Sequence, residues 1–105
     1  MYTIGDFQKL NKPESLIITQ HSRRRFDERG ILINDICNTI TSGEIIEQYE
    51  DDFPFPSCLI LGKSGEKIIH VVASIDSGFI YIITAYYPST DKWENDFRTR
   101  KERLT

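Results

Sequence analysis

Two histidines and a run of arginines are the residues of this chain best suited to moving protons and holding phosphate. His21, Arg25 and Arg29 recur every four positions within "TQHSRRRFDERGI", so on a helix they share one face. Phe26 points elsewhere and would anchor that helix in a core. His70 lies inside "KIIHVVAS", which reads as a well-buried strand. RNA cleavage without a metal needs a base for the 2′-hydroxyl, an acid for the leaving 5′-oxygen and a cation for the phosphoryl charge. Two histidines with arginines supply all three, and Tyr or Lys can replace one histidine. The same residues admit a plainer reading. The helix face can simply be solvated, with Arg29 favoured by the dipole near the helix C-terminus, and His70 can be a neutral core histidine with both ring nitrogens bonded.

Composition narrows the classes. A net charge of −3 argues against a general, charge-driven nucleic-acid binder. The charge is unevenly spread: residues 19–30 and the tail from Lys92 are basic, and the stretch from Asn34 to Gly78 is acidic, with only Lys63 and Lys67 as cations. That pattern permits a local anion site on an acidic body. Cys37 and Cys58 fit no metal-ligand spacing and read as apolar thiols, so neither a structural zinc nor a cofactor is expected. No phosphate loop or nucleophile elbow is present. The absence of a long apolar run or a leader pattern leads to the expectation of a cytoplasmic protein without a membrane span.

The elements that must position these residues follow from periodicity. The 105 residues make one domain, 1–105. The opening residues read as a short helix or irregular arm ending near Pro13. A helix is predicted over Gln20–Arg29, with Thr19 as N-cap and Gly30 just past its end. A second runs from about Ile33 to Ser42, with Ile33, Ile36, Cys37 and Ile40 on its apolar face and Gly43 as its stop. "EIIEQYE", "SCLILG", "EKIIHVVAS" and "FIYIITAYY" read as strands, and "DDFPFP" as a ladder-stopping loop. "KSG" and "DSG" each fit a three-residue hairpin loop. The predicted fold is α+β: N-terminal helices packed on one face of a four-stranded antiparallel sheet. Closing both hairpins this way sets Cys58, His70 and Thr84 in one row, with Ile68, Val72, Ile82 and Tyr86 on the same face.

The segments "ITQHSRRRFDERGI", "GEIIEQY", "HVVAS", "IITAYYP" and "KWENDFRTRK", in this order, resemble a family of small prokaryotic proteins catalogued as a domain of unknown function and likened to the RelE and MqsR toxins. The resemblance spans roughly Ile18 to Lys101. It implies the barnase–EndoU–colicin–RelE type of fold, a ribonuclease activity, and a toxin paired with an antitoxin that often carries a zinc finger. The family pattern matches His21, Arg25, Arg29, His70, Thr84, Tyr86 and Trp93, and Arg100 or Lys101 in the tail. This chain departs from RelE-type toxins in being acidic.

The resulting expectation is a metal-independent endoribonuclease acting on RNA. His21 and His70 would share the acid and base work, with Arg25 and Tyr86 in the catalytic set and Arg29, Thr84, Arg100 and Lys101 binding substrate. The rival expectation is a non-catalytic protein- or RNA-binding module of the same fold, whose sign would be a filled surround for His70.

Overall fold

The computed structural model describes residues 1–102. Among these residues three α-helices form where the caps demand them. Thr3 and Asp6 close a capping box on α1 (Ile4–Gln8). The Thr19 hydroxyl accepts the Ser22 N–H at the start of α2 (Gln20–Arg29), and Gly30 ends that helix at φ 68°, in the left-handed region glycine tolerates. Asp35 accepts the Leu32 N–H at 2.8 Å to begin α3 (Ile33–Ser42). The same carboxylate accepts from the Ser64 hydroxyl and pairs with Lys67, which ties the start of α3 to a hairpin of the sheet.

The sheet has five strands, in the order β1 (Leu16–Ile17), β5 (Phe79–Tyr86), β4 (Lys67–Asp76), β3 (Ser57–Ser64), β2 (Glu44–Tyr49). β2 to β5 form the predicted antiparallel meander. The fold is therefore α+β as expected, but the sheet is mixed rather than four-stranded and antiparallel, because β1 adds in parallel to β5. Two residues carry no periodicity to read, so this strand is invisible to sequence patterning. Beyond β1 the edge of β5 is capped by α2: Ser22 donates to the Ile83 carbonyl at 3.2 Å and Arg29 to the Ala85 carbonyl at 2.7 Å. An edge that would otherwise invite another strand is thereby occupied.

Both hairpin loops hold two residues, not three. Ser64 pairs with Lys67 across Gly65–Glu66, and Asp76 with Phe79 across Ser77–Gly78. Ser77 and Gly78 both have positive φ, 52° and 81°, as a type I′ turn requires. The expected row is corrected accordingly: His70 stands opposite Leu61 and Tyr86, not opposite Cys58 and Thr84. A bulge between Val72 and Ala73 offsets the slip in β5, so Thr84 and Tyr86 keep His70's face. Cys58 and Ile82 instead face the helices, where both are buried in the core.

The two faces differ in kind. Phe7, Phe26, Ile36 and Ile40 from the helices, with Ile31 from the link between α2 and α3, pack on Cys58, Ile60, Ile69, Val71, Ile80 and Ala85. α3 lies so close to β3 that a Cβ at Gly62 would stand 2.1 Å from the Thr39 carbonyl oxygen. On the outer face stand Leu59, His70, Tyr86 and the side chains described next. Among the described residues, no helix is long and apolar enough to cross a membrane.

Candidate functional site

The segment after β5 folds back over the outer face as a narrow strap. Trp93 pairs with Arg100, the Glu94 N–H donates to Thr99 O at 2.8 Å, and the Lys101 N–H donates to Lys92 O at 3.0 Å. Asp96 organises the tip by accepting from the N–H groups of Arg98 and Thr99 and from the Thr99 hydroxyl. Phe97 is held at φ 55°, an uncommon conformation for a bulky residue. Strain of this kind costs on the order of 1–3 kcal/mol and persists where the surroundings fix it. Here it accompanies a carbonyl aimed at His70.

His70 has no exposed surface. Its Nε2 lies 2.7 Å from the Phe97 carbonyl oxygen, which can only accept, so Nε2 carries the proton. Nδ1 is then an acceptor, 3.2 Å from the Tyr86 hydroxyl, which donates to it. Trp93 meets the imidazole edge-on at 4.6 Å and Tyr86 at 5.3 Å. Burial pushes the His70 pKa below its usual value, while the bond to Phe97 and the nearby Glu47 carboxylate push it the other way. Burial raises the Tyr86 hydroxyl above the usual phenol range.

Glu47 and Arg100 form the charged half of the site. Arg100 Nε donates to Glu47 Oε2 at 2.7 Å and Nη2 to Oε1 at 3.0 Å, a two-pronged pair. The Tyr49 hydroxyl donates to Glu47 Oε1. The guanidinium also lies 4.6 Å over the Trp93 ring. Hydrogen bonding by Arg100 holds the Glu47 carboxyl below its usual pKa, and burial with the Glu47 bond pushes Tyr49 up to about 12. A second pair, Arg98 with Glu44, holds the strap to the same strand. Half-exposed pairs of this kind contribute about 0–1 kcal/mol each. Burying an indole removes roughly 150–250 Å² from water, about 4–6 kcal/mol before entropy. Trp93 therefore anchors the strap, and the ion pairs set its position.

Beside this cluster opens a pocket of about 370 Å³ lined by Tyr86, Tyr87, Ser89, Lys92, Trp93 and Arg100. Arg100 has N–H groups beyond those given to Glu47, and Lys92 is in no ion pair among the described residues. The arrangement can hold an anion, stack a flat ring and pass a proton between Tyr86 and His70. Among the described residues, no three His, Cys, Asp or Glu side chains gather as a metal ion would need.

His70, Tyr86 and Arg100 thus come together, with Thr84 on the same sheet face and Lys101 at the end of the strap next to Lys92. His21 and Arg25 do not join them. They are exposed on α2, whose Phe26 packs on the opposite face of the sheet. Arg29 is committed to the Ala85 carbonyl. Sequence reading missed Glu47 and Tyr49. A bulge at Ile46 lets Glu44 and Glu47, three apart, share the outer face, which a period of two hides. The legible signal was charge: acids on one strand and alternate arginines at 98 and 100.

Residues 18–87 match the family model described as "Domain of unknown function (DUF4258)". The chain belongs to this family. No curated protein matches the chain, and no solved structure matches it. The DUF4258 match contains β2, β4 and β5, which supply Glu47, Tyr49, His70 and Tyr86, and ends before the strap that supplies Trp93 and Arg100.

Proposed function

We propose that this DUF4258 protein is a metal-independent endoribonuclease whose site is the outer-face pocket, not the α2 face. The observation that carries the reading is the Tyr86–His70 hydrogen bond placed beside an arginine fixed on both sides by Glu47 and Trp93. Arg100 would hold the scissile phosphate. The Tyr86 oxygen would take the 2′-hydroxyl proton as its own proton passes to His70 Nδ1. The imidazolium so formed would be stabilised by Phe97 O and Glu47. The 2′-oxygen attacks phosphorus, the bond to the 5′-oxygen breaks, and Lys92 protonates the leaving oxygen. The products are a 2′,3′-cyclic phosphate and a 5′-hydroxyl. Lys101, next to Lys92, would add to substrate binding. His70 is then reached through Tyr86, which fits its complete enclosure.

Kinship with RelE-type toxins and pairing with an antitoxin belong to the same proposal. They are supported by the helices-then-sheet order and by a charge cluster on the sheet face opposite the helices. A second reading, a binding module without catalysis, is favoured by one observation: both ring nitrogens of His70 are already bonded. Cleavage of labelled RNA in excess EDTA separates the two. The nuclease reading expects cyclic-phosphate ends from the wild type and a loss of about a hundredfold or more in Tyr86→Phe. RNA bound but uncut by the folded wild type would establish the module instead.

A further inference from the structure

The opposite end of the outer face carries a second feature that the pocket at Tyr86 does not use. Phe53 is 96% exposed, and Phe55, Phe79 and Ile83 remain more than a third exposed. Phe55 leans on Tyr81 with ring centroids 6.2 Å apart. Together with Asp52 and Pro54, Phe53, Phe55, Tyr81 and Ile83 line an apolar groove of about 300 Å³. Aromatic side chains this exposed do not pack the fold, and contiguous patches of them mark interaction sites.

The rim is acidic. Glu50, Asp51 and Asp52 precede the phenylalanines in the same loop, and Asp76 pairs with Phe79 at the nearby hairpin. Glu50 is taken up by the Met1 amine at 3.8 Å, whereas Asp52 lines the groove and accepts from the Ser57 hydroxyl, and Asp51 is in no ion pair among the described residues. These charges decide between occupants. An RNA strand could stack on the rings, but its phosphates would meet the Asp51 and Asp52 carboxylates. A second copy docking by two-fold symmetry would bring the same acidic loop against itself. The complementary surface is apolar and cationic.

We infer that this groove is a docking site for a partner protein segment that presents apolar side chains flanked by Lys or Arg. The apolar side chains enter between Phe53, Phe55 and Tyr81, and the cations meet Asp51 and Asp52 of the loop that carries the phenylalanines. The site stands apart from the pocket at Tyr86, so the inference does not depend on the proposed chemistry.

The test is fluorescence anisotropy with a synthetic amphipathic peptide bearing leucines on one face and lysines on its flanks. A counterpart with glutamates in place of the lysines serves as control. The full chain should bind the lysine peptide at least tenfold more tightly than the glutamate one. Binding should weaken about tenfold in Phe53→Ser and again in Asp51→Lys, both at exposed loop positions that leave the fold intact, while Lys92→Ala leaves it unchanged. No binding, or binding indifferent to Phe53→Ser, overturns the proposal. Sedimentation showing a dimer that Phe53→Ser abolishes would assign the face to a second copy and overturn it equally.

Discussion

The helix α2 and the strap carry similar positive charge and use it in opposite ways. On α2, Arg23, Arg24 and Arg25 are exposed and make no ion pair among the described residues. On the strap, Arg98 and Arg100 are bound to Glu44 and Glu47 of β2, and Arg100 is further fixed on Trp93. The first region has loose cations on a solvated face. The second has oriented cations over a buried histidine. A cation whose position is set in advance loses little on meeting a developing charge, whereas a flexible one must be ordered first. The charge asymmetry of the sequence, basic at the end and acidic in the middle, is partly self-neutralising once the chain folds.

The largest effect that sharpens this contrast is expected from Trp93→Ala. Removing the anchor should cost about 3–5 kcal/mol in chemical denaturation, and should return His70 toward an ordinary histidine pKa by relieving its burial. An NMR titration of the His70 ring checks the second part. Next comes Arg100→Ala, which should lower RNA cleavage about a hundredfold to a thousandfold, the usual cost of one oriented donor. Arg25→Ala should change it by no more than a few-fold. If Arg25→Ala is the more damaging, the contrast is reversed and α2 is the site.

A smaller pair separates structural from solvated arginines. Arg29→Ala removes the bond to the Ala85 carbonyl and should cost about 1.5–3 kcal/mol, as charged hydrogen bonds do. Arg23→Ala should stay within about 0.5 kcal/mol. Thermal unfolding reads both. The smallest effect is a pH dependence from His70. Its folded pKa lies below the ordinary histidine value of 6.5, so the unfolded chain binds the extra proton between those two values. Stability is then full above pH 6.5 and falls as pH drops through 6.5 toward the folded pKa, levelling below it. His70→Gln should flatten that part of the curve relative to the wild type.

These contrasts also explain what could be read from the sequence. The caps Thr19 and Gly30, the apolar face of α3 and the four long strands were legible because each rests on local chemistry. The shared face of His70, Thr84 and Tyr86 was legible too, but through two slips that offset each other, a shorter hairpin and a bulge. Where nothing offset the slip, Cys58 and Ile82 were placed on the wrong face. The strap's path was not legible, because Trp93 is held by residues far along the chain and no short-range pattern reports that. Nor was Glu47 legible as a site residue, since it reaches the outer face through an extra residue in β2. Counting cations therefore pointed to α2, and only tertiary pairing distinguishes the strap.

The most direct test of the central claim is amide NMR with a non-cleavable, 2′-O-methylated single-stranded RNA titrated into the protein. The account predicts the largest shifts at Tyr86, Tyr87, Lys92, Trp93 and Arg100, with His21, Arg24 and Arg25 nearly unmoved. Shifts confined to α2, with the pocket silent, would contradict it.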